Sequence, residues 1–347
     1  MTQKHFIDDC ETVCQLFSRA IEVYGDKKCF GFRRLLAEED QRQADGRVFR
    51  KLLLSDYNWS SYKQIESRVE HLARGLHALG VRSGDHVVIF AETRVEWMIT
   101  CQSVLRLGAA VVTLYATLGE EAVIHGINET EAEIVITTHD LLPKLRVDRL
   151  LRVKHVVFIE GLKKPNLKAS HVSFKSFSQL EEIGSRAPPL PKVKISGHST
   201  AVLMYTSGST GVPKAVQISH ENLLHAIRAF FTISDALSEE DVYCAYLPLA
   251  HVLELSAELF FFCLGLSVGF ATPLTLTSKS TALKKGVSGD TSLLRPTVMC
   301  CVPTVLDRIR KSIEEEVQHK HPISRAIFHF SLEYKKRWTG KGYKTVI

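Results

Sequence analysis

The feature that most restricts the fold of this chain is an alternation between residues 81 and 160. Short β-rich apolar runs at His86–Phe90, Ala109–Leu114, Ile134–Thr138 and His155–Ile159 are separated by helical patterns at Arg94–Leu107 and Gly119–Asn128. Runs that are apolar on both faces need cover on both faces, which predicts a parallel sheet with helices packed on either side. Sheets of that kind bind ligands outside the carboxyl ends of their strands.

The flanks add to this α/β reading. Thr12 to Tyr24 has helical spacing, and Arg47 to Leu54 reads as a strand. Ser61 and Gln64 have the spacing of a capping box. Behind them Ile65, Val69, Leu72, Leu76 and Leu79 form one helical stripe, which Gly80 ends. Residues 161 to 198 hold four of the eleven prolines and no long apolar run, so they read as a connection with one helical turn near Phe177 to Ile183. Strands are expected again at Ala201–Met204 and Ala215–Ser219, with a helix from Glu221 to Phe231 after them. A strand ending at Pro248-Leu249-Ala250-His251 and a helix from about Leu253 follow. Thr297 to Pro303 reads as a buried strand, Thr304 to Val317 as a helix, and Pro322 to Trp338 as a basic amphipathic helix with a solvated face. The expected parts are 1–160, a connection at 161–198, and 199–347, with a second sheet expected to start at 199.

Composition narrows the function classes. Lysine plus arginine exceed aspartate plus glutamate by 44 − 38, or +6, and the basic residues are scattered rather than clustered with aromatics. That pattern argues against nucleic acid as a partner. The eight cysteines contain no C-x-x-C pair, so a structural zinc site is not expected. Cysteines set in apolar runs fit a reducing compartment, and the charged N-terminus lacks a signal-peptide core, so the sequence alone reads as cytosolic. The apolar part of the longest uncharged stretch, Leu259 to Ala271, falls short of the roughly 20 residues a membrane-spanning helix needs.

Between the strands at 201 and 215 lies Tyr205-Thr206-Ser207-Gly208-Ser209-Thr210-Gly211-Val212-Pro213-Lys214. Two glycines, several hydroxyls and a lysine suit a phosphate-holding loop: successive N–H groups form an anion nest, hydroxyls add donors, and lysine adds a point charge. It is not a Walker loop. Gly208 and Gly211 are separated by two residues rather than four, and Lys214 is followed by Ala215. A flexible polar connection is the plain alternative for such a string.

The whole string resembles the phosphate loop of the adenylate-forming enzymes, departing only where Ala215 replaces a final glycine. Further strings resemble the long-chain fatty-acid–CoA ligases of that family: Ile89 to Trp97, Leu114 to Ala122, Ile124 to Thr130, Leu247 to Leu255, and Val302-Pro303 before a helix. Pro273 to Ser278 with Lys284-Lys285-Gly286 resembles the animal branch that prefers long and polyunsaturated chains.

This resemblance implies the large N-terminal domain of an adenylate-forming enzyme, with stacked, mostly parallel sheets, incomplete on its C-terminal side. It implies ATP-dependent activation of a long-chain fatty acid to acyl-adenylate and then acyl-CoA, with ATP, Mg²⁺ and coenzyme A. It assigns Thr206, Ser207, Gly208, Ser209, Thr210, Gly211 and Lys214 to the ATP phosphates, Thr206 to Mg²⁺, and His251 to the acyl-adenylate pocket beside an apolar helix that lines the acyl tunnel. Lys214 and His251 are the expected catalytic residues. The family's Tyr-Gly-x-Thr-Glu motif, its ribose-binding aspartate and the small C-terminal domain with its catalytic lysine are not found up to Ile347. The family works on the cytoplasmic face of the endoplasmic reticulum, the mitochondrial outer membrane or lipid droplets, which implies peripheral membrane association. The alternatives are a non-catalytic lipid- or ligase-binding module and another adenylate former, such as a luciferase-like or aryl-acid ligase.

Overall fold

The computed structural model describes residues 7–42, 48–163, 165, 171–206, 213–234 and 237–342. They divide into two compact units, 1–299 and 300–347. The expected boundaries at 160 and 198 do not separate units here.

The first unit opens with α1 (Val13–Tyr24), started by a capping box between Thr12 and Gln15. A long antiparallel hairpin follows, β1 (Lys28–Arg42) and β2 (Val48–Ser61). Ser61 and Gln64 form the expected capping box and start α2 (Tyr62–Ala78), whose stripe Ile65, Val69, Leu72 and Leu76 is fully buried. The alternating series then runs β3 (His86–Phe90), α3 (Val95–Arg106), β4 (Ala110–Leu114), α4 (Glu120–Glu129), β5 (Ile134–Thr138) and β6 (His155–Ile159). Residues 161–198 are more than a connection: β7 (Ser173–Ser176) pairs in parallel with β6, and α5 (Phe177–Arg186) carries a capping box between Ser176 and Gln179.

The chain continues with β8 (Thr200–Thr206), β9 (Lys214–Ser219), α6 (His220–Ile233), β10 (Val242–Ala245), α7 (Val252–Cys263), β11 (Ser267–Phe270) and the short α8 (Asp290–Leu294). β8 does not begin a second sheet. Among the described residues, seven strands form one sheet in the order β7-β6-β5-β3-β4-β8-β9, parallel throughout except for the antiparallel β8–β9 pair. Its central strands are the apolar runs that marked it in the sequence, and Val87, Val88, Val111, Val112, Val135 and Ile136 are fully buried. One core joins β3, β4, β5, β6 and β8 to α4 and to Leu141, Leu145 and Leu150. A second sheet runs β10-β11-β1-β2.

The expected strand at Thr297–Pro303 reduces to a single bridge between Val298 and Tyr243. A run apolar on both faces makes a central strand where both faces are covered, and here residues 298–301 are only partly buried and Val302 is exposed. In the second unit, α9 (Pro303–Gln318) and α10 (Pro322–Thr339) confirm both expected helices. No described helix is long and apolar enough to cross a membrane.

Candidate active site

β3 is followed through α3 by β4 on one side, and β5 lies on its other side and leads on to β6. The loops leaving β3 and β5 therefore diverge, which opens a crevice at the carboxyl edge of the sheet, the usual ligand position in a doubly wound fold. Both sequence-predicted site regions lie along this edge.

The first is the β8–β9 hairpin. Ser207, Gly208, Ser209, Thr210 and Gly211 lie outside the described residues, so the hairpin is defined by its two ends. Thr206 and Lys214 are direct cross-strand partners, with Thr206 Oγ1 3.5 Å from the Lys214 carbonyl oxygen. Both side chains are exposed at the strand ends, where a hydroxyl and an ammonium can meet an anion. β8 is buried up to this point: Ala201, Val202, Leu203, Met204 and Tyr205 are all core residues. A capping box between Ser219 and Asn222 then starts α6 immediately after β9.

The second region is the turn after β10. His251 is the N-cap of α7, and its Nδ1 accepts the Leu253 N–H at 3.1 Å. An imidazole whose Nδ1 accepts has Nε2 left as its donor. The exposed ring therefore offers an outward Nε2–H donor. The turn itself is held from the loop after β3: Thr93 Oγ1 donates to the Leu247 carbonyl at 2.5 Å and accepts from Leu249 N–H at 2.9 Å. Thr113 ties the two regions to one edge. It pairs with Met204 in β8, and its hydroxyl reaches the Ala250 carbonyl at 3.5 Å. Thr93 lay in a motif string, yet only the fold gives it this role, because its partners are more than a hundred and fifty residues away.

A cleft of about 500 Å³ opens beside this edge, between the ends of β3, β5 and β6 and the β1–β2 hairpin. Ion pairs line it. Arg33 and Asp290 form a buried ion pair at 2.8 Å, and Arg94 holds Glu96 at 2.8 Å. Burial opposes ionisation of Glu96, but the Arg94 guanidinium overrides it and holds the carboxyl below its ordinary range. Thr138 donates to Glu92 at 3.0 Å. Among the described residues no cluster of histidine, cysteine, aspartate and glutamate forms a metal site. A hard cation at the β8–β9 hairpin would take oxygen donors from hydroxyls, phosphates and water, and the exposed Thr206 hydroxyl fits that donor set.

Comparison with known proteins agrees with this geometry. The profile of the AMP-binding enzymes matches residues 36–333. Long chain acyl-CoA synthetase 8 of Arabidopsis thaliana is 38% identical over 94% of this chain and 46% of its own length. Long-chain-fatty-acid–CoA ligase 1 of Schizosaccharomyces pombe is 30% identical over 93% of this chain and 50% of its own. The chain thus spans about half the length of these curated relatives. The A domain of a carboxylic acid reductase from Segniliparus rugosus, solved with AMP and a co-purified carboxylic acid, superposes with a TM-score of 0.74 at 18% identity, covering 94% of this chain and 54% of that one. That likeness establishes the fold, and the profile match over most of the sequence establishes the lineage: this chain belongs to the AMP-binding enzyme family.

Proposed function

We propose that this chain is the ATP-facing part of a long-chain fatty-acid–CoA ligase. The observation that carries the reading is the Thr206–Lys214 pair, which closes a Gly/Ser/Thr string at the carboxyl edge of a parallel sheet. The names of the relatives supply the substrate class.

In the proposed reaction a fatty carboxylate oxygen bonds to the α-phosphorus of ATP, and the bond to pyrophosphate breaks. The coenzyme A thiolate then bonds to the acyl carbonyl carbon, and AMP leaves. Positioning and charge stabilisation dominate such transfers. Lys214 and the N–H groups and hydroxyls of residues 206–211 hold the β- and γ-phosphates. His251 Nε2–H donates to the acyl-adenylate, and the apolar helix α7 borders the acyl tail. A long tail gains about 0.8 kcal/mol per buried CH₂. The Thr206 hydroxyl would hold Mg²⁺ together with phosphates and water, and the ion would supply screening of the phosphate charge. By family resemblance we assign this work to the cytoplasmic face of the endoplasmic reticulum, the mitochondrial outer membrane or the lipid droplet.

The test is fatty-acid-dependent ATP–pyrophosphate exchange with the purified chain, alongside direct ATP binding. Exchange that falls at least about a hundredfold in Lys214→Ala supports the reading. Binding of a fatty acid with neither exchange nor ATP binding would overturn it in favour of a non-catalytic lipid-binding module.

A further inference from the structure

The β8–β9 hairpin poses a mechanical problem. β8 is paired on both sides only as far as Met204, where its ladder with β4 ends at Thr113. Tyr205 and Thr206 continue with β9 alone, opposite Ala215 and Lys214. A two-stranded ribbon is marginal without further packing, and the residues at its tip are the ones that would meet phosphate.

We propose that the last turn of α4 anchors the root of this loop through Tyr205 and Glu129, which act as positioning residues. The Tyr205 hydroxyl lies 2.5 Å from Glu129 Oε2 and 3.2 Å from the Gly126 carbonyl oxygen, and it directs its single proton to the carboxylate. The ring is 5% exposed and sits in the core that joins the sheet to α4, so it is fixed in place as well as bonded. Gly126 makes room for it: a Cβ there would meet Leu114 Cδ2 at 2.8 Å and the Tyr205 ring at 3.4 Å. His125 flanks the pair, with its ring edge-on to Tyr205 at 6.4 Å and its Nε2 3.6 Å from Glu129 Oε2. Burial, with the carboxylate beside it, raises the phenol's pKa, so it stays a donor at neutral pH. Through this contact the position of the β8 end is set by α4 and not by the hairpin alone.

The anchor concerns the loop's geometry; its effect on ATP rests on the nucleotide reading above. The experiment therefore uses two readouts on the full chain. Hydrogen exchange at the amides of residues 204–206 and 214–216 reports the anchor without any ligand, and equilibrium dialysis with Mg-ATP reports the consequence. Tyr205→Phe keeps the ring and removes the hydroxyl, so folding is preserved. It should speed exchange at those amides roughly tenfold while the amides of β3 and β5 stay at wild-type rates. Glu129→Ala should match it, and Glu129→Gln, which keeps an acceptor oxygen, should stay within about twofold of wild type. ATP affinity should fall in the first two variants and recover in the third. Unchanged exchange in Tyr205→Phe, or faster exchange spread evenly over the sheet, would overturn the anchor. A wild-type chain that does not bind ATP would sink the nucleotide reading, and the exchange result would still decide the anchor.

Discussion

Glu258 is fully buried in α7, four residues after the equally buried Glu254. Tyr243 donates to Glu254 Oε2 at 2.8 Å, whereas neither Glu258 oxygen has a donor apart from the Glu254 carboxyl. Burial comes first among the causes and raises both pKa values, Glu254 to about 7 and Glu258 upward further aided by the neighbouring carboxyl. The folded state therefore keeps protons that the unfolded chain releases near 4.5. Stability is highest below that pH; the Glu254 contribution is lost as pH rises through about 7, and the Glu258 contribution goes on falling until that group's own raised folded pKa is passed. Each retained proton sets a slope of at most about 1.4 kcal/mol per pH unit. Glu258→Gln removes one of these protons, so its melting temperature should exceed the wild type's at pH 8 and approach it at pH 5. Parallel wild-type and variant curves between those values would show that the pair is not held protonated. The sequence does not reveal this pair, because two glutamates at helical spacing ordinarily mark an exposed face. The same holds for Thr93 and for the Tyr205–Glu129 contact: their residue types were visible in motif strings, but their roles come from partners distant in the chain.

At the level of elements, the α2–α5 crossing is set by two glycines. A Cβ at Gly184 would lie 1.7 Å from the His71 carbonyl oxygen, and one at Gly75 would lie 2.5 Å from the Leu180 carbonyl oxygen. Backbone cannot retreat as a flexible side-chain end can, so the helices would have to separate. Gly184→Ala should lower stability by about 1–3 kcal/mol, despite the roughly 1 kcal/mol that alanine gains over glycine inside a helix. Gly119→Ala, with nothing within 4 Å of its Cβ, is the steric control; it loses only a glycine N-cap of α4 and should cost less than about 1 kcal/mol. Denaturant midpoints for the two variants check this, and equal midpoints would mean the crossing yields. The crossing also explains why residues 161–198 misled. β7 is a four-residue edge strand, Ser-Phe-Lys-Ser, three of whose residues are only partly buried, so no apolar run announced it. The long β1–β2 hairpin was half visible for the same reason: its outer part carries charged residues and little burial. The central strands were legible because burial on both faces leaves an unbroken β-branched run, and the run at Thr297–Val302 was overread by that same rule.

At the scale of the molecule, the second unit stands out because neither α9 nor α10 has a buried residue. The basic helix α10 is not simply a solvated charged face. Ile323, Ile327, Phe330 and Tyr334 recur at helical spacing and are 64%, 61%, 71% and 46% exposed. In α9, Leu306, Ile309 and Ile313 make a comparable stripe. A helix with an apolar stripe packs it against something, and a contiguous exposed stripe drives association when no partner is supplied. The curated relatives run to about twice this chain's length, which makes further protein surface the natural cover. The 347-residue chain alone should therefore bind a hydrophobic reporter dye and self-associate in light scattering as its concentration rises. Replacing Ile327 and Phe330 together by lysine removes the middle of the α10 stripe without touching any buried residue, so the fold of residues 1–299 should be retained. The double variant should bind several-fold less dye and scatter as a smaller species. Dye binding and scattering that match the wild type, with far-ultraviolet circular dichroism unchanged, would mean that another surface drives association and that this stripe is tolerated in water as it stands.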